Sequence, residues 1–137
     1  MSSPDSKPPE ANGRRGALIL VVERNPVVQR LEKYFLEQAG FNVEFTSDGV
    51  AALARARELR PKIIVTEILV PKLDGLSLCR AIKSDPSTKT TLVMVFSHLQ
   101  ALDRASEAGA DAFLSKPLDE ELLLATVGRL LDSTHKR

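Results

Sequence analysis

A chain of 137 residues has room for one hydrophobic core and little room for a second. Its 19 lysines and arginines nearly balance 18 acidic residues, and a formal charge of +1 gives no overall field to attract nucleic acid or an anionic membrane. Cys79 is the single cysteine, so no internal disulfide can form, and the apolar stretches fall far short of the ~20 residues needed to cross a bilayer.

Taken in order, residues 1–16 are rich in Ser, Pro, Gly and charge and cannot bury enough apolar surface to offset the entropy of ordering them. They predict a disordered tail, and without an apolar signal core the chain reads as cytoplasmic. Ala17 to Val22, ALILVV, is a short apolar strand ending at Glu23, Arg24 and Asn25. Pro26 suits the first turn of a helix, where its missing N–H costs nothing, and Val28, Leu31 and Phe35 follow at helical spacing until Gly40 stops it. Phe41 to Thr46 alternates apolar and polar residues and predicts a strand at or near a sheet edge. Ser47 and Asp48 offer caps for an Ala-rich helix over Val50 to Leu59, closed by Pro61.

Ile63, Ile64 and Val65 then form the continuous β-branched run of a strand covered on both faces. Glu67 stands at its carboxyl end, where open α/β sheets collect ligands. Turn residues Pro71 to Gly75 lead into a helix from about Leu76 to Ser84, with Leu78, Cys79 and Ile82 on one face. That apolar setting makes Cys79 an inert core thiol. Leu92 to Phe96 predicts a fourth strand with Ser97 and His98 at its tip, Ala101 to Ala108 a short helix, and Ala112 to Ser115 a fifth strand ending at Lys116 and Pro117. Asp119 caps a last helix whose first turn carries Glu120 and Glu121, where the helix dipole favours acids. Strand and helix alternate five times, which argues a doubly wound parallel sheet. The chain has no glycine-rich phosphate loop, CxxC, HExxH or GxSxG, and neither His98, which is expected to face solvent, nor His135 sits in a pattern that suggests a metal ligand or nucleophile.

Polar residues gather at four strand tips: Glu23 with Arg24, Glu67, Ser97, and Lys116 before Pro117. Through VVERNP, PKIIVTEILVPKLDG, DPSTKTTLVMVFSH and AGADAFLSKP, the chain from Ala17 to about Leu131 resembles the receiver domain of two-component response regulators. That resemblance implies a flavodoxin-like (βα)5 domain with a doubly wound, parallel, five-stranded sheet. It puts a receiver-like domain at 17–132, between the tail at 1–16 and another at 133–137, and it implies that the Pro after Lys116 follows a cis bond.

For chemistry the same comparison shows departures. A receiver that is phosphorylated uses an Asp nucleophile beside further carboxylates that hold Mg²⁺. Here the acceptor position is Glu67, whose carboxylate reaches roughly 1.5 Å further on single-bond lengths. The strand-one acid pair becomes Glu23 and Arg24, so a cation that cannot lose its proton stands in place of a ligand, where it repels Mg²⁺ and can pair with Glu67. Glu67 is then a strand-end acid paired with Lys116 and Arg24, an imitation of a modified Asp, or an unusual genuine acceptor. Ser97 to Gly109 is also a few residues shorter than the family's segment, which implies a short or displaced fourth helix.

The expected function is that of a pseudo-receiver, not an enzyme, with no metal and no cofactor: a phosphorylation-independent protein-interaction module in bacterial signal transduction. A genuine phosphoacceptor regulator is the alternative, and a nucleotide- or flavin-binding domain of the same topology lacks a phosphate loop. Since few residues follow Leu131, output is expected through a protein partner of the pathway or a second copy of the chain, with no role for nucleic acid or membrane. The resemblance assigns a switch aromatic to Phe113 and a partner surface to Leu99, Leu102, Phe113 and Leu122, while Leu123, Val127 and Leu131 follow the core stripe.

Overall fold

A computed structural model describes residues 16–135. Five strands, β1 (Leu18–Val22), β2 (Asn42–Thr46), β3 (Ile63–Thr66), β4 (Leu92–Ser97) and β5 (Ala112–Ser115), alternate with five helices. These are α1 (Pro26–Gln38), α2 (Gly49–Leu59), α3 (Gly75–Ser84), α4 (Leu102–Glu107) and α5 (Glu120–His135). All the strand pairs are parallel and the sheet order is β2-β1-β3-β4-β5, so the chain winds outward from β1 in both directions. This is the expected flavodoxin-like, doubly wound sheet, with the expected edge strand at β2.

Strand periodicity divides the core in two. Ile19, Val21, Ile63, Val65, Met94 and Phe96 point to one face, where Leu36 of α1 and Leu123, Val127, Leu130 and Leu131 of α5 cover them. Leu20, Val22, Ile64, Val93 and Val95 point to the other, against Ala52 and Ala56 of α2, Leu78, Cys79 and Ile82 of α3, and Ala105 of α4. A strand buried on both faces has to be apolar at every position, and β3 is fully buried throughout.

Short polar side chains start the helices. Asn25 accepts from the N–H groups of Val27 and Val28, Asp48 from Ala51, and Asp74 from Leu76 and Ser77; Asp119 accepts from the N–H of Leu122 in the first turn of α5. Gly75 begins α3 where a Cβ would lie 2.2 Å from the carbonyl oxygen of Glu67, so only glycine lets the helix approach the end of β3 this closely.

Some expectations are corrected. In α1 the buried positions are Glu32 and Leu36, while Leu31 is exposed, because Glu32 follows Val28 by a full turn where Leu31 falls short of one. α4 is short, as expected, with six residues and no side-chain cap at Ala101. α5 continues through Ser133 to His135, past the expected end at 132, since no proline or glycine follows Leu131 to stop it. Residues 1–15 of the expected first tail, and Lys136 and Arg137 of the second, lie outside the described residues; Gly16 is tied to Gly40 and Asn42 by hydrogen bonds. Among the described residues no helix is long and apolar enough to cross a membrane.

Candidate functional site

The ladder of the sheet carries on past the strands and gathers four polar side chains at one edge. The N–H of Glu67 donates to the carbonyl of Val22 at 3.0 Å, that of Glu23 to Thr46 at 3.1 Å, and that of Lys116 to Ser97 at 3.0 Å. Glu23, Glu67 and Ser97 are buried, and Lys116 follows β5 as the first residue of a cis Lys116–Pro117 bond.

Glu67 is enclosed by donors. Its Oε2 accepts from the Ser97 hydroxyl at 2.5 Å and from the N–H groups of Ile68 at 2.6 Å and Leu69 at 3.2 Å. Its Oε1 lies 3.0 Å from Lys116 Nζ and 3.9 Å from His98 Nδ1. Burial pulls this carboxyl upward, but the hydrogen bonds from Ser97, Lys116 and Leu69 together with the lysine charge outweigh it and hold Glu67 below the ordinary carboxylate range. The same ammonium lies 2.9 Å from Glu23 Oε1, while Glu23 Oε2 accepts from the N–H of Asn25 at 3.2 Å. Lys116 therefore bridges two carboxylates and sits 5.4 Å from the Phe96 ring centroid. Burial alone would lower the lysine; bonds and charges from Glu23 and Glu67 raise it above its ordinary value.

Arg24 is exposed and, among the described residues, makes no ion pair. The expected Arg24 contact with Glu67 is thus corrected: Lys116 pairs with Glu67 and Arg24 does not. At the end of β1 successive side chains point to opposite sides, and the one that turns inward is Glu23. His98 faces solvent as expected, with 63% of its side chain exposed. Cys79 is buried in the core, its Sγ 3.3 Å from the Ala108 carbonyl, and burial pushes the thiol up to about 11.

The Mg²⁺ that the fold family implies does not fit this donor set. The carboxylate oxygens of Glu23 and Glu67 all face hydrogen-bond donors of the protein, and the residue beside Glu23 is a cation. Among the described residues no three His, Cys, Asp or Glu side chains are grouped to hold a metal.

On the far side of β5, Leu102 and Phe113 meet across an open cleft of about 670 Å³ that also touches Arg104 and Ser115. Leu102 is 62% exposed and Phe113 half-buried. Leu99 packs instead against the core, and Leu122, although 49% exposed, does not line the cleft. The expected partner surface is therefore split between a Leu102–Phe113 cleft and a separate Leu122.

Glu32 went unnoticed in the sequence. It is 1% exposed, and burial first, then the charges of Glu23 and Glu67, push it up to about 8 against the opposing pull of Lys116. An acid four residues after Val28 and four before Leu36 was the available signal.

Comparison with known proteins agrees with this fold. The family described as "Response regulator receiver domain" matches residues 19–128. Among curated relatives, the chain is 34% identical over 121 residues to the DNA-binding dual master transcriptional regulator RpaA of Synechocystis, covering 86% of this chain and 50% of that protein. It is 32% identical over 115 residues to Protein PilG of Pseudomonas aeruginosa, covering 82% of this chain and 85% of that one. The chain thus spans about half the length of the transcriptional regulators it matches. Among solved structures, the receiver domain of a signal transduction histidine kinase from Syntrophus aciditrophicus superposes with a TM-score of 0.81 at 33% identity, covering 86% of this chain and 92% of that one. The chemotaxis response regulator CheY4 of Vibrio cholerae gives 0.79 at 26%, covering 84% and 98%.

Proposed function

The chain belongs to the response regulator receiver domain family of two-component signalling, and from that premise we propose that it is a receiver whose pocket no longer takes up a phosphoryl group. It acts by binding another protein, turns over no substrate, and works in the bacterial cytoplasm without contacting nucleic acid or membrane. The observation that carries this reading is the saturation of Glu67. Two backbone N–H groups, the Ser97 hydroxyl and the Lys116 ammonium already occupy the carboxylate on which an incoming phosphoryl group would have to form its bond. The charge of Arg24 beside Glu23 opposes the divalent cation that would shield that group.

The same contacts support a pocket held in one state. Ser97 at the end of β4 and Lys116 after β5 both reach Glu67, and the extra methylene of Glu67 lets its own carboxylate engage both. Output then depends on whether a partner is present, not on whether the pocket is modified. Phe113, packed against the core beside the Leu102 cleft, ties β5 to the surface such a partner would meet.

Incubation with a small acyl phosphate and millimolar Mg²⁺, followed by intact-mass measurement, tests the reading. We expect no phosphoryl adduct in the wild type or in Glu67→Asp, because the cation at position 24 persists in both. A phosphoryl-sized mass gain mapped to Glu67 would establish the alternative, a genuine phosphoacceptor with an unusual acceptor residue.

A further inference from the structure

Glu32 is an acid in a position that belongs to the core. Val28, Glu32 and Leu36 repeat at four-residue spacing on α1, and the side of the helix they share packs on Phe96 and Met94 of the sheet and on the apolar face of α5. Among the described residues, the buried Glu32 Oε1 has no hydrogen-bond partner. The charged groups that act on it come from three other elements: Glu23 after β1, Lys116 after β5 and Glu67 after β3. The core residues of α5 in the same layer, Leu123, Val127, Leu130 and Leu131, are apolar, and Glu44 of β2 turns away to Arg55. His98 lies beyond Glu67, and Arg24 is exposed.

Glu23 and Glu67 with Lys116 already carry a net charge of −1, so an ionised Glu32, itself only 1% exposed, would bring the cluster to −2. An unpaired carboxylate there is disfavoured, and the group resolves the conflict by keeping its proton. Burial and the two carboxylates push it up to about 8, into a range a cell's pH can reach. Val28, one turn before Glu32, lines a cleft together with Lys116, so this side of α1 lies next to the lysine bridge.

We propose that Glu32 is a proton-operated switch on the pocket: while protonated it leaves Lys116 bridging Glu23 and Glu67, and on giving its proton to solvent it draws the Lys116 ammonium toward itself and loosens it from Glu67. Lys116 also lines, with Val28, Leu31, Phe96, His98 and Pro117, a mainly apolar cleft of about 490 Å³ between α1 and the start of the β5–α5 link. The same proton therefore alters that surface. The switch operates whether or not Glu67 can be phosphorylated.

The test is a pH titration, from 5 to 10, of the whole chain labelled with ¹³C in its Glu carboxyl and Lys side-chain carbons. We expect one Glu carboxyl to titrate near pH 8 and to vanish from the spectrum of Glu32→Gln. The Glu67 carboxyl and the Lys116 ε-carbon should move with that same midpoint in the wild type and stay flat between pH 7 and 9 in the variant. Glu32→Leu, which fills the site with an apolar side chain, serves the same comparison if the Gln variant folds poorly. Titration of Glu32 below pH 6 would overturn the proposal, as would Glu67 and Lys116 signals that stay still in the wild type or move equally in a folded variant.

Discussion

Removing the lysine bridge is the most severe single test of the pocket's electrostatics. Lys116 Nζ lies 2.9 Å from Glu23 and 3.0 Å from Glu67, and 16% of its side chain is exposed. At an effective dielectric of about 20, each contact near 3 Å is worth roughly 5 kcal/mol before desolvation is subtracted. Lys116→Met deletes both, regains the cost of burying the ammonium, and leaves two buried carboxylates with no cation between them. The net loss should be about 3–5 kcal/mol, the range found when one member of a buried pair is removed. Glu67→Gln should cost less, about 1–3 kcal/mol, because the amide oxygen can still accept from Ser97 and Ile68 and Lys116 keeps Glu23. Glu67→Ala should cost more than Glu67→Gln, since it strands those donors. Combining Lys116→Met with Glu67→Gln removes one of the two stranded charges, so the double variant should be more stable than the sum of the singles by at least about 1 kcal/mol. Urea unfolding at pH 7 with an unchanged m-value measures all four. A loss below about 1 kcal/mol for Lys116→Met, or strict additivity in the cycle, would mean that the cluster is solvated and contributes nothing.

Stability should also follow pH in a way that names the group responsible. Glu32 is raised from 4.5 to about 8 in the folded chain, so its contribution is fully present below 4.5 and is lost as pH climbs toward 8. At 1.36 kcal/mol per pH unit the fall has a ceiling of roughly 5 kcal/mol, and Glu32→Gln should flatten it in pH-dependent urea midpoints; an unchanged slope would refute the assignment. The depressed Glu67 acts in the opposite sense, its share present above its unfolded value and lost as acid takes pH down through the folded one. On the β5 side, Leu102→Glu or Leu122→Glu should weaken self-association or partner capture in sedimentation and pull-down experiments while keeping stability within about 1 kcal/mol of wild type. Unchanged binding in both variants would move the partner surface to another face.

The fold was legible because its signals are local and repeated. Apolar strand runs, Asn or Asp caps at α1, α2, α3 and α5, and turn residues mark most of the boundaries, and apart from the end of α5 the expected elements lie within a residue or two of the observed ones. The pocket was legible in part, since the strand tips of a parallel sheet converge whatever their sequence, which brought Glu23, Glu67, Ser97 and Lys116 together. What escaped depends on side-chain direction. A sequence does not say which of Glu23 and Arg24 turns inward, and Arg24 was given a contact that Lys116 makes. On α1, steps of three and four residues both suit a helix, and choosing the apolar Leu31 over the charged Glu32 followed hydrophobicity, whereas the helix geometry buries Glu32. The end of α5 carried no stop signal, so its boundary was set too early.

These two misreadings share a cause that bears on function. In most cores a charge is absent, so an acid in an apolar stripe is read as a surface residue, and a cation beside a carboxylate as its partner. This pocket reverses both rules: the cation stays outside and a third acid comes in. With Arg24 exposed, Lys116 is, among the described residues, the cation that bridges Glu23 and Glu67, and a further negative charge there adds to a net −1. A phosphoryl group would add about two such charges to a site whose one lysine is already shared, whereas a proton on Glu32 subtracts one. On the proposed reading, the charge balance that would oppose a phosphoryl group is the same one that favours a proton on Glu32, so both proposals stand or fall on the charge state around Lys116.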